Sequence, residues 1–111
     1  MSECVFCRIV RGEIPAKVVA RDGAALAFED LSPQAPVHVL VVPTRHVASA
    51  ADADGATLGA VFALATRVAA ELGLSTRGYR LVTNVGDEGG QSVHHLHVHL
   101  LGGRQMRWPP G

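Results

Sequence analysis

From His95 onward the chain alternates imidazole and aliphatic side chains without a break: His95, Leu96, His97, Val98, His99, Leu100. Successive side chains of a β-strand point to opposite faces. The spacing therefore predicts a strand over 95–101, with Leu96, Val98 and Leu100 on one face and His95, His97 and His99 on the other. The aliphatic face needs an apolar cover. The segment able to supply it is 55–72, where Leu58, Val61, Phe62, Ala65, Val68, Ala69 and Leu72 recur at helical spacing. Asp54 is placed to cap that helix and Gly73 to end it. The histidine face asks for another explanation, because packing alone would place Thr or Val there. His is the side chain whose charge changes nearest neutral pH, and three imidazoles along one face point to chemistry.

The remaining segments predict a sheet around that strand. Residues 4–12 read as a short helix stopped by Gly12 and Pro15. Strands at 17–21 and 24–28 flank a tight Asp22-Gly23 turn. Asp30 to Pro36 reads as a loop. The β-branched run at 38–42 reads as a strand covered on both faces, and 79–84 as another. The expectation is one α+β domain over 1–111, with a five-stranded antiparallel sheet, one long helix and a short N-terminal helix.

Charge narrows the partners. Ten Lys+Arg balance ten Asp+Glu, which argues against bulk affinity for nucleic acid or an anionic membrane. The best apolar stretch, 55–66, is far shorter than the ~20 residues needed to span a bilayer. No basic region followed by an apolar one opens the chain. With Cys4 and Cys7 the only cysteines, a multi-bridge secreted scaffold is excluded. A soluble, cytoplasmic protein is expected.

Two chemistries suit the histidine face. Alternating histidines on a strand can chelate zinc as a three-histidine catalytic site. Alternatively, one is a nucleophile whose neighbours orient it and bind the anion it attacks. Spacing does not decide between them. The preceding Gly86-Asp87-Glu88-Gly89-Gly90-Gln91-Ser92 segment favours the second. Its glycines let backbone N–H groups approach an anion, and Gln91 and Ser92 add side-chain donors, although it lacks the lysine and spacing of a P-loop. Cys4 and Cys7 lack the preceding strand of a thioredoxin-type redox pair. As half of a four-ligand zinc site they need two more donors; His46 is a third candidate and one of the strand histidines the fourth.

The pattern His95-Leu96-His97-Val98-His99-Leu100-Leu101 resembles the signature of the histidine-triad (HIT) family. The opening Cys4-Val5-Phe6-Cys7-Arg8-Ile9-Val10 and Gly12-Glu13-Ile14-Pro15-Ala16 resemble bacterial members, and Asp30 to His38 the family's ribose-side loop. The ending Leu101-Gly102-Gly103-Arg104-Gln105-Met106-Arg107-Trp108-Pro109-Pro110-Gly111 resembles the Hint branch. The resemblance implies a homodimer in which the long helices pack together and the sheets join into one. It implies a purine nucleotide (AMP or GMP) whose α-phosphate lies against the catalytic group His95, His97, His99 and Ser92. His97 is the implied nucleophile, forming a nucleotidyl-histidine that water hydrolyses. His99, Ser92, Gln91 and the backbone around Gly90 are the implied phosphate ligands, with Asn84 beside them.

Asp30 corresponds to the ribose-hydroxyl acceptor, and Val5, Phe6, Ile9, Phe28 and Leu31 to the purine slot. His38 corresponds to an orienter of the triad. Cys4, Cys7, His46 and His95 correspond to the ligands of a structural zinc, with no metal in the chemistry. His94 stands where an aromatic residue is frequent, and Arg107 where a histidine is; Arg107 and Trp108 bear on leaving-group preference. The implied activity is cleavage of the P–N bond of purine nucleoside 5′-phosphoramidates. A dinucleoside polyphosphate hydrolase, a nucleotide-binding regulator with vestigial turnover and a three-histidine zinc hydrolase are the alternatives.

Overall fold

A computed structural model describes residues 4–111; residues 1–3, on which the expectation of no leader partly rests, lie outside them. The elements in chain order are α1 (Val5–Val10), β1 (Val18–Arg21), β2 (Ala25–Glu29), β3 (Val37–Pro43), a 3-10 turn (Ala50–Asp52), α2 (Gly55–Glu71), β4 (Arg80–Val82) and β5 (Val98–Gly102). The five strands form one sheet in the order β1-β2-β3-β5-β4, and every pairing is antiparallel. The α+β architecture is the one expected from the alternating patterns. No helix among the described residues is long and apolar enough to cross a membrane.

The period-two pattern divides the core between the two faces of the sheet. Ala25 and Ala27 of β2, Val39 and Val41 of β3, and Val98 and Leu100 of β5 pack against Val61, Leu64, Ala65, Val68 and Ala69 of α2. The intervening residues Leu26, Phe28, Leu40 and Val42 face the other way and pack with Phe6 of α1. β3 is buried from His38 to Pro43, as its unbroken β-branched run requires. Because α1 is only six residues long, it covers part of the second face and leaves the rest for a cleft.

Local chemistry explains where the elements end. The Asp54 carboxylate accepts the Thr57 N–H at 2.8 Å and opens α2. The helix stops at Glu71, and Gly73 takes φ of +76°. The Leu74 N–H then reaches back to the Ala69 carbonyl at 2.9 Å, the geometry of a Schellman cap. This turn corrects one expected core position, Leu72, and brings in another, Leu74. Leu72 is the C-cap residue and is 44% exposed, whereas Leu64 and Leu74 are buried.

The turn between β1 and β2 also differs from expectation. Gly23 is not among the glycines with positive φ, so the two-residue primed turn is not used. Instead the Asp22 carboxylate accepts the N–H groups of Ala24 and Ala25 at 3.0 and 2.8 Å. The Asp side chain supplies the turn.

The largest departure concerns the predicted strand at 95–101. β5 begins at Val98, so of the three alternating histidines His99 alone lies in the ladder. Residues 95–97 make their backbone bonds elsewhere. The Leu96 N–H donates to the Val47 carbonyl at 2.7 Å, and the Thr83 hydroxyl donates to the His97 carbonyl at 2.8 Å. The same hydroxyl contact accompanies the early end of β4 at Val82. The facial alternation survives nonetheless, with Leu96 in the α2-side core.

These contacts separate Leu64 from Leu72 experimentally. Leu64→Ala is expected to lower unfolding free energy by about 2–5 kcal/mol, and Leu72→Ala by roughly 1 kcal/mol or less. Urea denaturation of both variants checks this; equal losses would contradict the assigned helix end.

Candidate functional site

Two clusters of imidazoles occupy the face opposite α2. The first gathers Cys4, Cys7, His46 and His95, whose donor atoms all lie within 4.8 Å of one another. Cys4 caps α1, and Cys7 stands one turn on, with its N–H 3.5 Å from the Cys4 Sγ. Three positions apart on a helix bring both sulfurs to one side. The His95 Nδ1 lies 3.3 Å from the Cys4 Sγ, 3.6 Å from the Cys7 Sγ and 3.1 Å from the His46 Nδ1. The Cys7 Sγ and His46 Nδ1 are 3.3 Å apart.

His95 is fully buried, and its other nitrogen, Nε2, lies 3.0 Å from the Pro43 carbonyl. A carbonyl only accepts, so Nε2 carries the proton and Nδ1 presents its lone pair to the sulfurs. Burial is the main cause holding the ring below the usual histidine range, opposed by the Pro43 bond. A tetrahedral shell with ordinary Zn–N and Zn–S lengths has edges of roughly 3.3–3.8 Å. The four donors approximate that spacing and are the soft and borderline types that zinc favours. A shell with four protein donors is closed, as structural sites are.

The second group carries a different potential. The His97 Nδ1 lies 2.8 Å from the His95 carbonyl, so Nδ1 carries the proton and Nε2 the lone pair. No buried side-chain nitrogen lacks a partner among the described residues. The His97 Nε2, which takes none, is therefore accessible from the cleft that His97 lines. The Phe6 and His99 rings contact His97 with centroids 5.2 and 5.0 Å away. The His99 Nδ1 lies 2.9 Å from the His38 Nε2, and the His38 Nε2 lies 3.4 Å from the Asp30 carboxylate. Burial, reinforced by the neighbouring His97 and His38, pushes the His99 pKa down to about 4 against the opposing charge of Asp30. Burial likewise lowers His38, and Asp30 opposes it.

The cleft encloses about 300 Å³, within the range of small-molecule sites. Its floor is a cross-sheet row: Phe28 pairs with Leu40, and Leu40 with His99. His97, His99 and Ser92 line one part, Asp30 and Leu31 another, and Val5, Phe6, Ile9 and Phe28 the apolar wall. The residues assigned to a purine slot are thus brought together with the histidines. Leu31 is 93% exposed at the rim.

The glycine-rich loop behaves differently from a simple anion cradle. The Gln91 carboxamide accepts the Gly86 N–H at 3.1 Å and donates to the carbonyls of Ala48 and Val93 at 2.7 and 3.0 Å. The backbone N–H groups of Gly90 and Gln91 return to the Asp87 and Gly86 carbonyls. Both residues hold the loop, and Ser92 remains exposed at the cleft with no partner for its hydroxyl among the described residues. Asn84 is half-buried after β4 and does not line the cleft, nor do His94, Arg107 and Trp108. Ile14, Pro15, Ala16, Glu29, Leu40 and Val93 do line it and were not singled out. Leu40 was within reach of sequence reasoning, being two residues from His38 on the same strand face; the loop residues carry no such periodic signal.

The family model for the HIT domain matches residues 11–106. The chain is 50% identical over 115 residues to an uncharacterised HIT-like protein of Synechococcus elongatus, with 100% of each chain covered. It is 47% identical over 115 residues to a 14 kDa zinc-binding protein of Zea mays, covering 99% of this chain and 89% of that one. The crystal structure of a HIT family hydrolase from Legionella pneumophila superposes with a TM-score of 0.94 at 51% identity, covering 98% of this chain and 100% of that one.

The depressed pKa of His99 makes stability depend on pH. An unfolded histidine protonates near pH ~6.5, but folded His99 near 4. Between those values the unfolded chain binds more protons, so stability falls as pH is lowered and is unaffected by this group above that window. Thermal unfolding followed from about pH 7 to pH 5 should show a smaller decline for His99→Gln than for the wild type. Parallel declines would contradict the assignment.

Proposed function

The chain belongs to the HIT domain family, and from that premise we propose that it is a purine nucleoside phosphoramidase of the Hint type. It cleaves the P–N bond of adenosine or guanosine 5′-phosphoramidates and releases AMP or GMP and an amine. The observation that carries this reading is the orientation of His97. Its Nδ1–H is held by the His95 carbonyl, which leaves Nε2 as the nucleophile in a cleft that also contains Asp30.

In the first step the His97 Nε2 lone pair forms a bond to the α-phosphorus, and the P–N bond breaks. The amine departs with the bonding pair and takes up a proton from water. In the second step a water oxygen attacks the nucleotidyl-His97, the histidine–phosphorus bond breaks back onto Nε2, and the water's proton is released to solvent. The Ser92 hydroxyl and the His99 Nε2–H donate to phosphoryl oxygens as charge develops on them. Asp30 accepts hydrogen bonds from the ribose hydroxyls, and the Phe6–Phe28 wall holds the purine. Gln91 and Gly90 support Ser92 by holding their loop closed, and Asn84, two residues past β4, stands outside the cleft.

Cys4, Cys7, His46 and His95 would hold zinc, which supplies a structural cross-link between α1, the loop after β3 and the approach to β5. The proposed assembly is a cytoplasmic homodimer of one HIT domain per chain, without nucleic-acid or membrane partners. Two features support the dimer: β4 is an edge strand, and Ala56, Gly59 and Ala63 leave a low, exposed face on α2 over which a second helix could pack closely.

AMP release from adenosine 5′-phosphoramidate is the decisive assay. The wild type should turn over, and His97→Ala should lose roughly 10³-fold or more in kcat. Turnover surviving in the variant would contradict the covalent route. AMP and ADP formed from a bridged dinucleotide, with no phosphoramidate cleavage, would point instead to a polyphosphate hydrolase.

The metal has its own test. A chelator should release one zinc per chain, measured with a metal-sensitive dye, and lower the melting temperature. Protein that remains folded should still release AMP. Complete loss of turnover in folded, metal-free protein would favour a three-histidine zinc hydrolase.

A further inference from the structure

His38 offers one proton to two acceptors. The Gln34 backbone N–H donates to the His38 Nδ1 at 3.0 Å, so in the neutral ring the proton resides on Nε2. That N–H lies 2.9 Å from the His99 Nδ1 and 3.4 Å from the Asp30 Oδ2. His38 is 4% exposed and Asp30 20%, and the second Asp30 oxygen accepts the Ser32 N–H at 2.8 Å. Neither group is free to turn away from the other. We infer that Asp30 and His99 compete for the single N–H of His38, and that ribose hydroxyls bound by Asp30 release it to His99, so that recognition of the sugar sets the hydrogen-bond donor facing the phosphorus. The inference deepens the nucleotide reading of the cleft and rests on it.

The chemistry follows from acceptor strength. A bare carboxylate accepts more strongly than a neutral imidazole nitrogen, so with no sugar bound Asp30 weakens the His38–His99 bond. Two hydroxyls donating to Asp30 disperse its charge and leave the His38 N–H to the His99 Nδ1. With Nδ1 accepting, the His99 proton is held on Nε2 as a neutral donor. No proton passes from one residue to another: the His38 N–H changes direction, and the tautomer of the His99 ring follows it. His38 is accordingly a positioning residue, and the ribose diol contributes to rate as well as affinity.

The test compares adenosine 5′-phosphoramidate with its 2′,3′-dideoxy analogue in the wild type and in His38→Phe. In the wild type the dideoxy compound should lower kcat about tenfold, with a smaller change in KM. In His38→Phe that effect on kcat should shrink to about twofold or less. An undiminished effect overturns the inference. Because His38→Phe could fail to fold, ¹⁵N NMR of the wild-type His99 ring provides a second reading. AMP should shift His99 toward the tautomer protonated at Nε2, and 2′,3′-dideoxy-AMP should do so less. Equal responses overturn the inference. If AMP fails to bind, the inference and the nucleotide reading fall together. If AMP binds and shifts His99 more than the dideoxy compound while phosphoramidate is not cleaved, the inference stands and the phosphoramidase reading falls.

Discussion

His95, His97 and His38 each have one ring nitrogen tied to a backbone group, and the chemistry open to the residue is that of the other. The Pro43 carbonyl holds the His95 Nε2, which turns Nδ1 toward two thiols. The His95 carbonyl holds the His97 Nδ1, which turns Nε2 toward the cleft. The Gln34 N–H holds the His38 Nδ1, which makes Nε2 its donor. Three chemically identical side chains thereby acquire three characters: a member of a donor cluster able to hold a metal, a lone-pair donor to the cleft and a hydrogen-bond donor. The differences between them are set by the backbone.

That arrangement requires a main-chain carbonyl not engaged in the sheet. A continuous ladder through 95–97 would occupy backbone groups that the site uses. Ending β5 at Val98 leaves the His95 carbonyl available to His97. The freed segment is held by other means, including the Leu96–Val47 bond and the Thr83 hydroxyl on the His97 carbonyl. The aliphatic anchor also remains, since Leu96 is 1% exposed beneath α2. Burial of the alternate side chains keeps the histidines on the cleft face even where the strand has ended.

This explains how much was legible beforehand. Leu96, Val98 and Leu100 against a long helix is a statement about periodicity, and periodicity survives the loss of ladder hydrogen bonds. The strand boundary is a statement about distant acceptors: Val47 lies 49 positions before Leu96 in the chain, and no local pattern announces it. The same distinction applies to Gln91, whose residue type suits phosphate but whose carboxamide is satisfied by Ala48 and Val93. For α2, Leu72 fits the helical period, but the turn at Gly73 ends the helix first and brings in Leu74 instead. Cys4, Cys7 and His46 were recognisable as donors from their chemistry. That His95 completes the set came from resemblance, since three histidines shared the same spacing.

His95 also links the two clusters. Its side chain faces the Cys4–Cys7–His46 donors, while its carbonyl orients the His97 ring two residues on. The Phe6 ring reinforces the link by meeting both imidazoles edge-on, at centroid distances of 5.8 and 5.2 Å. A segment released from the sheet at this point needs an anchor that leaves its carbonyl free, and a side-chain ligand cluster meets that need where another β-ladder bond would not. Four donors closed around one point fix the imidazole from three separate parts of the chain: the start of α1, the loop after β3 and the approach to β5. On this view the cluster stands beside His97 because it substitutes for strand pairing there, and a closed four-donor shell suits that role.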